Sequence, residues 1–152
     1  MSELHFQYCQ KIIVLSSDKT KVLLCKRKGE NDFDGIFSFI GGKMEVTDKT
    51  IIDGLKREKN EEVGEDFKVK IYPTYSTNLL FRKKDGNTMI LPHYLSIYQT
   101  GEIKLNEEYS EYKWVNINDI ESFEPKIPTI PDVLTKILNL EKITEETDFI
   151  II

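Results

Sequence analysis

The sequence predicts an α+β or mixed α/β sandwich, in which strands joined by antiparallel hairpins surround a few helices. Three observations support this class. Short apolar runs flank a polar turn near the N-terminus, and residues 51–63 follow the periodicity of an amphipathic helix. Further along, Asp85-Gly86-Asn87 separates two stretches rich in β-branched and aromatic residues, which is typical of a hairpin. The length of 152 residues corresponds to a single domain, 1–152.

The strands are predicted, in chain order, at 8–15, 21–26, 36–40, 68–81, 88–98 and 114–115, with a polar loop at 106–113. A first helix is predicted over 51–63. Thr50 with Asp53 three residues later resembles a capping box, and Gly64 is well placed to end the helix. Pro131 suits the first position of a final helix that runs to about residue 140.

The composition limits the classes of partner. Against 21 Lys and Arg stand 26 Asp and Glu, a formal net charge of -5, so no general nucleic-acid binding is expected. No apolar run approaches the roughly 20 residues of a membrane helix, and the N-terminus lacks the pattern of a signal peptide. We therefore expect a cytoplasmic protein without membrane contact. Cys9 and Cys25 are expected to be buried free thiols.

The C-terminal segment 141–152 ends in four apolar residues after an acidic stretch. It is expected to add an edge strand, to pack on a partner subunit or to fray, and the sequence does not choose between these.

The first helix carries a cluster of carboxylates. Glu58, Glu61 and Glu62 stand at positions i, i+3 and i+4, on the flank of the predicted apolar stripe. Like charges at this spacing repel by a few tenths of a kcal/mol, and a bound cation removes that repulsion. Mg²⁺ prefers oxygen ligands. Just upstream, Gly41 and Gly42 allow the backbone to approach a phosphate or to offer a carbonyl to a metal.

The apolar stripe of this helix is predicted to consist of Ile51, Ile52, Leu55 and Val63. Lys59 projects into the middle of the stripe on a helical wheel. Because a buried bare ammonium is costly, we expect Lys59 to extend to the rim of the stripe.

Residues 42–65, GKMEVTDKTIIDGLKREKNEEVGE, resemble the signature of the Nudix hydrolases, a MutT-like pattern of G, five residues, E, seven residues and R-E-U-x-E-E-x-G-U, in which U is aliphatic. Arg57, Glu58, Glu61, Glu62 and Gly64 match the second half. Upstream, residues 35–42 resemble the lead-in G-x-W-x-x-P-G-G, and downstream residues 107–115 resemble an E-x-x-x-Y-x-W-V segment.

The signature departs from the family pattern in one respect that matters for the site. One extra residue separates Gly42 from Arg57, so that Asp48 stands where the first motif Glu is expected, with Glu45 nearby. The sequence leaves open which of these two carboxylates takes that role.

The resemblance implies a Nudix-type α/β/α sandwich and Mg²⁺-dependent hydrolysis (Mn²⁺ being an alternative) of a nucleoside diphosphate linked to another moiety. The metal ligands that it implies are Gly41, Glu58, Glu61, Glu62 and Glu108, with Glu111 as the second choice after Glu108. Arg57 would hold the carboxylates, through Glu61 or the loop. The general base is left open between Glu58 and Glu108.

Other residues are expected to serve the substrate. Lys26, Arg27, Lys43 and Gly42 are candidates for binding its phosphates. Tyr72, Tyr75 and Phe81 are candidates for stacking a base, although aromatic residues in strands commonly serve packing alone. His93 lies in an apolar strand and is expected to be packed there rather than catalytic.

The favoured function is hydrolysis of a (deoxy)nucleoside triphosphate to the monophosphate and pyrophosphate. The alternatives are a hydrolase of nucleotide sugars or dinucleoside polyphosphates, and a non-catalytic nucleotide-binding module. Many members of the family dimerise, so a homodimer is the default expectation.

Overall fold

The computed structural model describes residues 2–152, which form one mixed sheet of nine strands together with two α-helices. The strands are β1 (Gln7–Leu15), β2 (Lys21–Arg27), β3 (Phe37–Ser38), β4 (Ile40–Lys43), β5 (Lys68–Ile71), β6 (Thr77–Arg82), β7 (Thr88–Thr100), β8 (Tyr109–Asn116) and β9 (Ile150–Ile151). The helices are α1 (Ile51–Val63) and α2 (Ile130–Glu141), with short 3-10 turns at Ile117–Asp119 and Glu146–Asp148.

The sheet is organised around the parallel pair β1 and β7. Its strand order is β3-β2-β1-β7-β5-β9, and β4, β6 and β8 pair with β1, β7 and β2 respectively. All pairs other than β1–β7 are antiparallel. This mixture of one parallel pair with antiparallel hairpins is the predicted sheet type.

The sheet is buried on both faces. Alternate residues of β1 serve the two layers: Ile12 and Val14 pack in the cluster that contains Leu55 of α1, whereas Ile13 and Leu15 pack in the cluster that contains Leu134 of α2. Side chains in a strand point alternately to opposite faces, so an uninterrupted apolar run serves two layers at once. The α/β/α sandwich that the sequence predicts is confirmed.

Helix α1 begins and ends where the local signals predict. The Asp53 amide donates to the Thr50 hydroxyl, the Thr50 amide donates to the Asp53 carboxylate, and the Gly64 amide closes the last turn on the carbonyl of Asn60. The composition of its buried stripe was only partly predicted, because Ile51 is 43% exposed while Glu58, Lys59 and Glu62 are buried.

Three predicted strands differ from the observed ones. The stretch 68–81 is divided into β5 and β6 by a segment that contains Pro73, which has no N–H to donate to a ladder. The stretch 36–40 is divided into β3 and β4. Residues 109–113, predicted as loop, belong to β8, whose polar residues pair with β2 along its length.

The C-terminal segment takes the first of its three predicted alternatives. Strand β9 pairs antiparallel with β5, and Ile152 exchanges two backbone hydrogen bonds with Val69. The two thiols, Cys9 and Cys25, are free and buried as predicted. No helix within the described range has the length and apolar character needed to cross a lipid bilayer.

Candidate active site

A cavity of about 690 Å³ lies between α1, β4, the β6–β7 hairpin and the loop after β2. We call one part of its wall the acidic side, which consists of Glu58, Glu61, Glu62 and Glu108. The other part, the apolar side, consists of Phe33, Leu79, Phe81, Met89 and Leu91. Gly41 and Gly42 line the same cavity, so the predicted glycine turn and the predicted carboxylates do meet.

Glu62 is the most deeply buried of these carboxylates, at 2% exposure. The Gly41 amide donates to its Oε1 at 2.6 Å, and the Tyr109 hydroxyl donates to both oxygens at 3.2 Å. Burial raises the pKa of Glu62 well above its ordinary value, and the neighbouring Glu108 carboxyl adds to the rise, against the Lys11 ammonium and the Gly41 amide. A cation in the cavity would favour the ionised form.

Because Gly42 has no side chain, the Glu58 carboxylate can pack directly against the backbone at this position. A Cβ at position 42 would lie 2.4 Å from Oε2 of Glu58, so any larger residue displaces the carboxylate. Gly41 has φ of +133°, and its Cβ would lie 2.0 Å from the carbonyl oxygen of Gln10 in β1. Burial raises the pKa of Glu58, Arg57 opposes the rise, and Glu61 and Glu108 add to it.

Arg57 links the helix to the loop that precedes it. Its Nε and Nη2 donate to the two oxygens of Asp48 at 3.0 and 2.8 Å, and Nη2 also donates to the carbonyl of Lys43 at 2.9 Å. Its Nη1 donates to Glu58 at 2.9 Å and to Glu61 at 3.3 Å. Arg57 therefore contacts the carboxylates directly and also anchors the loop. The sequence left open whether Arg57 acts through Glu61 or through the loop, and in the structure it contacts both.

Asp48 rather than Glu45 is the principal partner of Arg57. The Asp48 side chain is 4% exposed, whereas that of Glu45 is 56% exposed and lies 3.4 Å from Nη1. The bond from Arg57 lowers the pKa of Asp48 to about 2. The extra residue in the signature thus leaves a carboxylate of the loop in contact with the guanidinium.

The remaining predicted residues are divided by the structure between the cavity and the outer surface. Glu108 lines the cavity, and its carbonyl is fixed by the Lys28 amide at 2.9 Å. Glu111 instead faces Lys26 at 3.9 Å, and neither of these two lines the cavity. Among the predicted phosphate contacts, Arg27 and Lys43 do line it.

Two further cavity-lining residues, Lys11 and Tyr109, were not singled out in the sequence. Lys11 of β1 is half-buried, and its Nζ lies 3.5 Å from the carbonyl oxygen of Gly41. The sequence feature that could have identified Lys11 is the occurrence of a lysine within an otherwise apolar strand. Tyr109 holds Glu62 but stands at an unspecified position of the downstream family segment, so only the fold reveals its role.

Lys59 does not reach the rim of the apolar stripe, and that expectation was wrong. Its side chain is fully buried, and its Nζ donates to the carbonyls of Phe67 at 2.8 Å, Gly64 at 3.3 Å and Glu65 at 3.5 Å. These carbonyls, just beyond the end of α1, replace the water that the ammonium loses. Desolvation lowers the pKa of Lys59 to about 8.

The structure also shows which of the aromatic residues predicted to stack a base line the cavity, and where His93 lies. Tyr72 packs against Tyr75 and Phe149, and of the three predicted stacking residues Phe81 alone is found among the cavity-lining residues of the described chain. His93 is buried, with Nδ1 within hydrogen-bond distance of the carbonyls of Thr77 and Leu91, and burial lowers its pKa to about 4. His93 is therefore a packed neutral side chain.

The acidic side has the chemistry of a site for a hard divalent cation. Its carboxylate oxygens, together with the carbonyl of the nearby Gly41, are oxygen ligands of the kind that such an ion prefers. The Glu58 carboxylate occupies the space that a Cβ at position 42 would fill. Within residues 2–152, no three His, Cys, Asp or Glu side chains are already arranged to hold one ion. Arg57 engages Glu58 and Glu61, and of these two only Glu61 is exposed enough to turn without unpacking.

Comparisons with known proteins identify the family and the fold. The NUDIX domain family model matches residues 10–136. Nucleoside triphosphatase NudI of Escherichia coli is 30% identical over 115 residues, which cover 70% of this chain and 81% of that protein. The structure of the MutT protein from Methanosarcina mazei Go1 superposes with a TM-score of 0.73 at 21% identity, over 93% of this chain and 99% of the other. An Ap4A hydrolase from C. elegans gives 0.72 at 13% identity, over 90% and 98%.

Proposed function

The chain belongs to the NUDIX domain family and is a Nudix hydrolase, and on this basis we propose that it cleaves a nucleoside triphosphate to the monophosphate and pyrophosphate with a divalent cation. One observation carries the proposal: a single cavity combines the four carboxylates of the acidic side, basic side chains that include Lys11, Arg27 and Lys43, and the apolar side. The carboxylates suit a metal ion, the basic side chains suit a polyphosphate, and the apolar side suits a nucleobase. The NudI relative, named as a nucleoside triphosphatase, supports the choice of substrate.

The residues that would hold Mg²⁺ are Gly41, Glu58, Glu61, Glu62 and Glu108. A bound Mg²⁺ neutralises phosphate charge and lowers the pKa of water, which supplies the nucleophile at neutral pH. Arg57 keeps Glu58 and Glu61 on the cavity face of α1. The Gly41 amide and the Tyr109 hydroxyl hold Glu62 in one orientation, which limits the reorganisation of the site during the reaction.

Two carboxylates are proposed to accept the proton from the attacking water. Glu58 has the raised pKa that brings a carboxylate closer to neutral pH, where a general base is effective. Glu108 comes from the loop just before β8, and it is an exposed residue that lines the cavity. Whichever acts as the base, its glutamine variant should lose the acidic limb of the pH–rate profile.

Lys43, Arg27 and Lys11 are proposed to bind the phosphates. Lys43 is exposed and follows the glycine turn, so its ammonium is free to move toward a ligand. The Lys11 ammonium lies beside the Gly41 carbonyl. Their charges offset the repulsion between a polyanionic substrate and an acidic wall.

The test is to incubate the protein with Mg²⁺ or Mn²⁺ and nucleoside triphosphates, nucleotide sugars or dinucleoside polyphosphates, and to identify the products. We expect monophosphate and pyrophosphate from triphosphates. Glu62→Gln should reduce kcat by at least about a hundredfold, in the range for lost electrostatic stabilisation. Glu111→Gln is the matched control, because Glu111 lies outside the cavity and faces Lys26.

Other outcomes of this experiment would indicate a different substrate or a protein without catalytic activity. Preferred cleavage of sugar nucleotides or dinucleoside polyphosphates would contradict the triphosphate proposal while keeping the reaction type. No turnover of any substrate, together with unchanged nucleotide binding in Glu62→Gln, would identify a non-catalytic nucleotide-binding module.

A further inference from the structure

The loop between β2 and β3 closes one part of the cavity and has a fixed shape. The Arg27 amide donates to the carbonyl of Ile36, and the Gly35 amide donates to the carbonyl of Arg27. These two backbone hydrogen bonds close the base of the loop. The Asp34 carboxylate accepts from the amides of Gly29 and Glu30, at 2.7 and 3.2 Å. Phe33 has φ of +55°, a left-handed conformation that is unusual for a bulky residue. The loop therefore presents Phe33 to the cavity at the expense of local strain.

Phe33 meets an aromatic residue of the hairpin across the cavity wall. Its ring lies 5.7 Å from that of Phe81 of β6, with an interplanar angle of 36°. A base inserted between two rings needs about 7 Å, twice the ordinary contact distance, so these two rings do not admit one between them. They form instead one continuous wall, extended by Leu79 and Leu91, against which a planar ring can stack.

Asp32 places a carboxylate at this wall with unused hydrogen-bonding capacity. The residue is 8% exposed and lines the cavity, and the Lys84 amide donates to its Oδ1 at 3.3 Å. The neighbouring cation, Arg27, donates to the backbone carbonyl of Asp32 and pairs with Glu30. The other oxygen of the Asp32 carboxylate has no hydrogen-bond partner among the described residues and is not sealed off from solvent, so a ligand in the cavity that supplies N–H groups can bind it.

The edges of the common bases differ in what they offer to a carboxylate. Guanine has N1–H and the 2-amino group side by side, which matches the two oxygens of an ionised Asp. Adenine and cytosine present an amino group beside an unprotonated ring nitrogen, and uracil has one N–H between two carbonyls. The acceptors on these three bases oppose the acceptor-only carboxylate.

We propose that Asp32, Phe33 and Phe81 form a nucleobase subsite that selects guanine. The base stacks on the Phe33–Phe81 wall, and its N1–H and 2-amino groups donate to the Asp32 carboxylate. This subsite rests on the proposed function for its biological meaning, because it selects guanosine triphosphate or its deoxy form as the substrate. Its binding of a base is independent of the metal and of the hydrolytic step.

The subsite is tested first by equilibrium binding of monophosphates without metal. Calorimetric titration should give guanosine monophosphate a dissociation constant at least about tenfold below those of adenosine and inosine monophosphates, since inosine lacks the 2-amino group. Asp32→Asn should abolish this preference, because the amide replaces an acceptor with a donor. Its remaining oxygen keeps the bond from the Lys84 amide, which preserves the fold. Asp85→Asn, an exposed aspartate on the adjacent turn, is the charge-matched control.

The kinetic comparison should give the same order, with kcat/KM for guanosine triphosphate at least about tenfold above that for inosine triphosphate in the unaltered protein. Phe81→Leu should weaken binding of all three monophosphates without removing the guanine preference. Equal affinity for the three monophosphates, or a guanine preference that survives Asp32→Asn, overturns the subsite.

These outcomes separate the subsite from the proposed function. Hydrolysis of all triphosphates at equal kcat/KM overturns the subsite and leaves the hydrolase assignment standing. Selective binding of guanosine monophosphate without any triphosphate hydrolysis supports the subsite and contradicts the proposed reaction.

Discussion

The pairing of Arg57 with Asp48 predicts that Asp48→Asn will damage both the stability of the loop and the candidate active site. The substitution removes one charge from a bidentate pair while leaving the guanidinium in place. Arg57 would then keep its bonds to Glu58, Glu61 and the Lys43 carbonyl without its principal counter-charge. Its position on the cavity side of α1 would no longer be fixed by the loop.

The magnitude follows from the geometry of the pair. Hydrogen bonds between charged groups contribute about 1.5–3 kcal/mol, and the Asp48 side chain is only 4% exposed. We expect Asp48→Asn to lower the free energy of unfolding by about 2 kcal/mol. Glu45→Gln is the matched comparison, because Glu45 is 56% exposed and 3.4 Å from Arg57, and exposed pairs contribute below about 1 kcal/mol.

The assay is urea denaturation at pH 7, followed by the fluorescence of Trp114, the one tryptophan in the sequence. Because the pKa of Asp48 is about 2 in the folded state and about 3.9 in an unfolded chain, the pair contributes fully above pH 4 and is lost as the pH falls toward 2. The difference between the two proteins should therefore shrink over that interval. If Glu45→Gln destabilises the protein as much as Asp48→Asn, the assignment of Asp48 is wrong.

Two further predictions concern the buried and half-buried lysines. Since Lys59 has a pKa of about 8 when folded and about 10.4 when unfolded, the unfolded chain binds more protons, and stability should rise by about 2 kcal/mol from pH 7 to pH 9.5 relative to Lys59→Met. Parallel urea titrations of both proteins check this, and equal pH slopes would contradict it. Lys11→Met should bind Mn²⁺ about tenfold more tightly, or about 1.4 kcal/mol, because it removes a cation near Glu62 and the Gly41 carbonyl. Calorimetric titration measures the change, Lys26→Met outside the cavity is the control, and an unchanged or weaker affinity would show that Lys11 does not compete with the metal.

The parts of the fold that were predictable are those with signals contained in the chain nearby. Thr50, Asp53 and Gly64 complete the hydrogen bonds at the ends of α1 themselves, so the helix is bounded as expected. Asp85-Gly86-Asn87 likewise forms the turn of the β6–β7 hairpin. The length of strand β8 was underestimated. Its polar residues are held in the sheet by pairing with β2, and no local sequence pattern reveals that pairing.

The candidate site divides in the same way. Glu58, Glu61 and Glu62 were identified because one helix turn brings them together in the sequence. Asp32, Phe33 and Tyr109 were missed because they reach the cavity from separate strands and loops. The burial of Lys59 could not be foreseen, because the carbonyls that compensate it belong to the chain after the helix, whose path is set by tertiary packing.

Strand β7 has a consequence for the dynamics of substrate binding. Its first half carries Met89 and Leu91 of the apolar side and is flanked by β1 and β6, while its second half lies between β1 and β5. A strand with partners on both sides opens only when much of the sheet opens, so its amides should exchange with solvent near the rate set by global unfolding. Met89 and Leu91 thus belong to the most protected unit of the molecule, and this part of the apolar side does not act as a lid. Adjustment to a ligand must come from the exposed carboxylates Glu61 and Glu108, which can move without disturbing the sheet.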